Sequence, residues 1–250
     1  MRRSIFALAS PYAHRLVCAS VAVLFAVGFV AIFPVSSAAD QVPLPPDAPV
    51  VLHAGDSFVH VGFTQTLAPK FKASGVRYVV RAQHSLYIPT ISRALQLPDL
   101  MRQYKPSLVI LNIGGNEMQM PKPSDHAPAV RRLSAVVSAG GASCVWVTPP
   151  PPAHGETGII GEILRESTPC RVYDSRPIAP SLDREKHDKV HPTRPAGAKW
   201  AEAFWVWLEQ ERESGSSWKL KPRPELVPSS EAPPATSAPA PTTSAPGASR

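Results

Sequence analysis

The 250-residue chain has no run rich in lysine and arginine. Its 26 basic side chains against 19 acidic ones give a formal charge of +7, but the excess is scattered. A scattered excess does not track a phosphate backbone, and nucleic acid is set aside as a partner. Cysteine is scarce, at three. Cys18 stands at the start of an apolar run instead of after it, where a lipid-carrying cysteine would lie. His53, His60 and His84 do not fall at metal-ligand spacing, and neither a metal nor a cofactor is expected. No internal repeat is present. What remains is one ordinary domain with tails, or two small ones.

Proline, by contrast, is abundant, at 30. It gathers in the segment around Pro43–Pro46, in the run Pro149–Pro152 and in the C-terminal tail. The N-terminus reads as an export signal or an anchor. Arg2, Arg3 and Arg15 form a positive flank, Leu16 to Phe33 runs without a charge, and Ser37-Ala38-Ala39 offers a small-residue cleavage site. The apolar run is long enough to span a bilayer, so cleavage and retention as a signal-anchor both stand. Either way the positive end stays in the cytoplasm and the domain is exported to the periplasm, the envelope or the medium. An extended lead-in is expected over 40–48, a folded domain over 49–212, and a disordered Pro/Ser/Ala-rich tail over 213–250. The tail carries too few large apolar residues to offset its ordering entropy. It could contact a cell wall or membrane, or serve as spacer. In an oxidising compartment Cys144 and Cys170, each at the start of an expected strand, can pair; the other reading is two buried thiols.

Within the domain, apolar runs suited to buried strands alternate with helical patterns. Strands are expected at about Val50–Ala54, Val76–Ala82, Ser107–Ile113, Cys144–Thr148 and Cys170–Tyr173. Val59, Phe63, Leu67 and Phe71 recur four apart and predict a helix after Ser57, ended or kinked at Pro69. Further helices are expected over Ile91–Tyr104, after a cap at Ser124 or Asp125 up to Gly140-Gly141, over Gly158–Glu166, and over Pro195–Arg212 with Trp200, Phe204, Trp207 and Leu208 inward. Such alternation predicts a three-layer α/β/α sandwich around a mostly parallel, about five-stranded sheet. In that architecture the site lies beyond the carboxyl ends of the strands.

Three groups of residues follow strand ends or stand in loops there. Val50-Val51-Leu52-His53-Ala54-Gly55-Asp56-Ser57 displays Ser57 where a strand turns toward a helix, with unpaired backbone N–H groups nearby. The serine is either a nucleophile or a helix cap. Asp188-Lys189-Val190-His191-Pro192 sets a carboxylate and an imidazole three apart, on one side of a turn, so that Asp188 can orient His191 and His191 can take a proton from Ser57. Otherwise they are a surface pair in a polar loop. Gly114-Gly115-Asn116-Glu117 lets the backbone come close at Gly114 and could aim the Asn116 amide at an oxyanion, or is a tight turn.

This ordered set resembles the SGNH (GDSL-type) hydrolase superfamily over roughly residues 49–210. Gly55-Asp56-Ser57 looks like the family's first block, Gly114-x-Asn116 its third and Asp188-x-x-His191 its last. The resemblance implies a flavodoxin-like fold and a metal-free site: Ser57 as nucleophile and oxyanion donor, Asn116 as a second donor, His191 as base and Asp188 as its partner. Two departures stand out. The second block's glycine is missing from Arg81-Ala82-Gln83-His84-Ser85-Leu86, where Ser85 is the best match and its N–H the third expected donor. The usual aspartate after the block-three asparagine is Glu117. Gly114, Met118 and Gln119 are expected to line the substrate site. The family includes esterases, lipases, glycan O-acetyl esterases and acyltransferases. The expectation is an exported serine esterase acting on an acylated small molecule or envelope glycan through an acyl-Ser57 intermediate. The alternatives are an O-acyltransferase with the same site, and a non-catalytic envelope-binding module favoured by the missing glycine.

Overall fold

Five apolar runs form strands: β1 (Val50–Gly55), β2 (Arg77–Ala82), β3 (Leu108–Asn112), β4 (Ser143–Val147) and β5 (Arg171–Tyr173). The structure is a computed structural model describing residues 43–152, 158–215 and 218–223, with the backbone alone at 119. The leader expected over 1–39 and the tail beyond 223 lie outside these residues. All neighbouring strands run parallel, in the order β2-β1-β3-β4-β5. Every residue of β1 and β3 is buried, as helices on both faces require. β2, at the edge, leaves Arg77 and Arg81 exposed.

Among the described residues six α-helices cover the sheet: α1 (Phe63–Ala73), α2 (Ile88–Ala94), α3 (Leu97–Tyr104), α4 (Ala127–Ser138), α5 (Gly158–Glu166) and α6 (Arg194–Glu211). α1 packs on α6, while α4 packs on α2, α3 and α5. The result is the expected α/β/α sandwich. This strand order is that of the flavodoxin-like doubly wound sheet, and the winding direction reverses between β1 and β3. The loops after those two strands therefore diverge and leave a crevice at their carboxyl ends.

Several expected elements are corrected. α1 does not end at Pro69 but runs on to Ala73. A proline in a helix interior costs about 3 kcal/mol, whereas burying Phe63, Leu67 and Phe71, all fully inaccessible, is worth about 1.5–3 kcal/mol each. Ile91–Tyr104 is two helices, because Pro98 cannot continue a helix from Ala94; Gln96 takes φ 50 at the break and Pro98 enters the first turn of α3. Neither Ser124 nor Asp125 caps α4. Both lie in a 3₁₀ turn (Pro123–His126), and His126 precedes the helix without a side-chain cap. Trp207 is half-buried, against Tyr173 and Phe204, while Trp200, Phe204 and Leu208 form the inner face of α6.

The packed body continues past Arg212. Glu213 N–H donates to Lys219 O at 3.0 Å and Lys221 N–H to Glu211 O at 2.9 Å. Trp218, only 2% exposed, packs between Phe71 and Trp205. Cys144 and Cys170 form a disulfide joining the start of β4 to the residue before β5. The lead-in, described from 43, holds a turn closed by Ala48 N–H to Pro45 O at 3.0 Å. No helix among the described residues is long and apolar enough to cross a membrane.

Candidate active site

The crevice is built from the ends of β1 and β3 upward. Asp56 N–H donates to Asn112 O at 3.0 Å, pinning the two strand ends side by side. Gly55 permits this approach, since a Cβ there would lie 2.0 Å from Asn112 O. Asp56 is fully buried and spans the two loops. Its Oδ1 accepts from Phe58 N–H at 3.0 Å, and its Oδ2 from Gly114 N–H at 3.3 Å and Gly115 N–H at 3.2 Å. Burial pushes its carboxyl up to about 6, with Glu117 adding, while the three N–H donors pull the other way. Asp56, not Ser57, is thus the cap, and what it caps is a 3₁₀ turn (Ser57–His60) instead of the expected α-helix. Gly62, at φ 91, separates that turn from α1. Freed from capping, the Ser57 hydroxyl points into the crevice.

There it meets the loop before α6. Ser57 Oγ lies 2.7 Å from His191 Nε2, and His191 Nδ1 lies 2.7 Å from Asp188 Oδ2. Asp188 Oδ1 also accepts from Val190 N–H at 2.8 Å and His191 N–H at 3.0 Å. Burial would raise its carboxyl, but these hydrogen bonds and the imidazole outweigh that and hold it at about 2. An ionised Asp188 fixes the proton on Nδ1 and turns the Nε2 lone pair toward the serine. The loop is braced by Arg184, which donates to Val190 O at 2.7 Å and Pro151 O at 2.8 Å. The Phe58 ring packs against the His191 ring at 4.8 Å between centroids.

The other expected residues fare unevenly. Asn116 lines the same cleft as Ser57 and His191. One of its amide N–H groups goes to Leu86 O at 2.7 Å, leaving the second. Ser85 adopts the left-handed φ of 60 that the missing glycine would favour, but it lines neither of the clefts that reach Ser57; its neighbours His84 and Tyr87 do. Gly114 does not face the cleft: at φ 125 it turns its N–H to Asp56, beside Ile163 and Pro149. Met118 is buried in the core, because the 3₁₀ turn 116–119 points it inward. The side chain of Gln119 lies outside the described residues. Glu117 is buried, accepts from Ile88 N–H at 2.6 Å and lies 3.2 Å from His126. Burial raises its carboxyl, opposed by those contacts. His53, fully buried in β1, contacts the Tyr78 hydroxyl at 2.6 Å.

The cleft, of about 470 Å³, is walled by residues that sequence reasoning missed: Phe58, Tyr87, Met120, Pro121 and Val190. All are near the motifs in sequence, but no periodicity marks them. Among the described residues no His/Cys/Asp/Glu group is placed to hold a metal ion. The arrangement supplies a hydroxyl, a base, an ionised partner for that base and N–H donors at one concave place, the requirements of acyl transfer through serine.

No protein-family model and no curated protein matches the chain. Solved structures do. A structure of TesA aligns with a TM-score of 0.53 and 20% identity, covering 64% of this chain and 98% of that one. The psychrotrophic esterase EstA from Pseudoalteromonas sp., in a form inhibited by monoethylphosphonate, aligns at TM-score 0.51 and 16% identity over 64% of this chain and 97% of its own. An acetyl xylan esterase, AlAXEase, aligns at 0.51 and 14%, over 64% and 99%. Over about two-thirds of its length the chain therefore has the SGNH-hydrolase fold that these proteins share.

Proposed function

We propose that this chain, built on the SGNH-hydrolase fold, is an exported serine esterase that removes acyl groups, acetyl foremost, from a cell-envelope glycan or a related ester. The observation that carries the reading is the continuous relay Ser57 Oγ–His191 Nε2 and His191 Nδ1–Asp188 Oδ2, 2.7 Å at each step. Ser57 Oγ attacks the ester carbonyl carbon as His191 Nε2 takes its proton. The carbonyl oxygen becomes an oxyanion, for which the Ser57 N–H and the second Asn116 N–H are the candidate donors. Each such donor is worth about 100- to 1000-fold in rate. The carbon–oxygen bond to the alcohol then breaks, and His191 returns the proton to the leaving alkoxide. The acyl group is left on Ser57. Water, deprotonated by His191, attacks the acyl carbon, releases the acid and restores the serine.

An acetyl ester is favoured by the resemblance to an acetyl xylan esterase, an acid-releasing enzyme by its name. Export rests on the charged flank and apolar run of the N-terminal segment, and contact with a wall or membrane would fall to that segment or to the C-terminal tail. The test is turnover of an aryl acetate by the purified chain beside Ser57→Ala and His191→Ala. The expected outcome is turnover in the wild type and its loss in both variants. A wild type that neither turns over the ester nor takes a fluorophosphonate label would favour a binding module, and an active Ser57→Ala variant would remove the serine from the chemistry. Product analysis with a sugar acceptor present separates hydrolysis from transfer to that sugar.

A further inference from the structure

Ser57 and His191 open not on one cleft but on two. The second, of about 450 Å³, lies between the 3₁₀ turn after Ser57, the turn after β2 and the loop before α6. Its walls differ in kind from those of the first. In place of Tyr87, Met120 and Val190 it presents His60, His84, His187, Glu185 and Arg194.

A charge account shows what this cleft favours. It has two carboxylates: Asp188 is committed to His191 at 2.7 Å, and Glu185 stands 4.0 Å from His187, beyond hydrogen-bond reach. Arg194 is exposed and makes no ion pair among the described residues. His60 and His84 stack at 5.4 Å with their ring planes 27° apart, and their nitrogens have no hydrogen-bond partner among the described residues. Burial, and then the neighbouring His84, hold the His60 imidazole below its usual value, so it offers a neutral ring N–H. α6, of 18 residues, begins at Arg194, so the positive end of its dipole adds to the same rim. A guanidinium and two imidazoles without partners among the described residues and a long helix's N-terminus thus converge on one side of the nucleophile, with Glu185 the carboxylate of this cleft that is not hydrogen-bonded.

We propose that this second cleft is a subsite for an oxyanion carried by the substrate, a carboxylate or a phosphate, with Arg194 as its fixed charge and His60 and His84 as hydrogen-bond donors. The inference deepens the esterase reading and rests on it: the acylated compound is an anionic one, positioned by its charge across the serine. A carboxylate would come from an acidic sugar, a phosphate from a phosphorylated polymer or small molecule.

Binding can be read apart from turnover. Galacturonate, inorganic phosphate and galactose are titrated into the full chain while the ring signals of His60 and His84 are followed by NMR. Galacturonate or phosphate is expected to shift both signals saturably, and galactose to leave them in place. The tighter of the two anions identifies the source. Arg194→Gln is expected to weaken that anion about tenfold, as loss of a charge-assisted contact does, and Arg194→Lys to recover part of it. In parallel, the preference for 4-carboxyphenyl acetate over phenyl acetate is expected to fall about as far in Arg194→Gln. Galactose shifting the signals as galacturonate does, or an Arg194→Gln variant that binds anions unchanged, would overturn the subsite. Anion binding without turnover of either ester would leave the subsite standing and remove the esterase reading.

Discussion

His53 stands in the strand that leads to Ser57, wholly buried, three residues before Asp56. Burial, and then the neighbouring His60, depress its imidazole from 6.5 to about 3. Between those values the unfolded chain binds a proton that the folded chain refuses. Stability is therefore full above pH 6.5 and is lost as pH falls toward 3, by on the order of 1.4 kcal/mol per unit inside the window. Asp56 acts in the opposite sense. Raised from 3.8 to about 6, it holds a proton in the fold that the unfolded chain releases, so its contribution grows as pH falls through that range. Comparing Tm for wild type and His53→Gln from pH 7.5 to 4.5 cancels the Asp56 effect. The difference is expected to move in the variant's favour as pH drops, and a constant difference would contradict the assignment. At this scale the sequence spoke through motifs: Ser57, Asp188 and His191 were legible because each chemical type sits at a characteristic spacing. Asp56 as the cap was not, because a Gly-Asp-Ser run does not say which side chain takes the free N–H groups. Gly114 and Met118 were placed in the cleft by adjacency to Asn116, and that inference was defeated by the left-handed Gly114, which turns its N–H to Asp56, and by a 3₁₀ turn that faces Glu117 and Met118 inward.

Elements were legible where burial and period agreed. β1 and β3 read as unbroken apolar runs because both faces are covered, and their parallel pairing follows from the helices between them. Helix ends were less legible. The four-residue recurrence of Val59, Phe63, Leu67 and Phe71 continues through Gly62, since all four face the core, yet the backbone changes there from a 3₁₀ turn to α1. Two prolines misled in opposite directions: Pro69 is carried inside α1 by the packing around it, whereas Pro98 breaks one expected helix into two. The Cys144–Cys170 bridge, across 26 residues, ties β4 to β5 at the edge of the sheet. A loop of that length gives a chain-entropy contribution of about 3.5 kcal/mol. The Cys144→Ala/Cys170→Ala pair is expected to lose about that much in urea unfolding, and a loss under about 1 kcal/mol would show the bridge to be incidental.

At the scale of the whole molecule, the doubly wound sheet is what converts distant motifs into one place. Residues 57, 116, 188 and 191 meet because the winding reverses between β1 and β3 and because the loop before α6 returns over that crevice. Composition marked the end of this body too early. Glu213 opens a stretch poor in apolar residues, yet Trp218 fits against Phe71 and Trp205 with the Arg212 guanidinium 3.8 Å over its ring. A single large residue in a polar segment leaves no compositional trace. Trp218→Ala is expected to cost about 3–5 kcal/mol in denaturant unfolding, and a chain ending at Arg212 at least as much. A cost under about 1 kcal/mol would mean that the body ends where composition changes.

Peptide-mapping mass spectrometry after exposure to a fluorophosphonate bears most directly on the central claim, that the serine just beyond β1 is made nucleophilic by His191. One covalent phosphonyl adduct is expected, on Ser57, and its formation is expected to collapse in His191→Ala. An intact chain that takes no adduct, or takes it on another residue at undiminished rate in His191→Ala, would contradict the account.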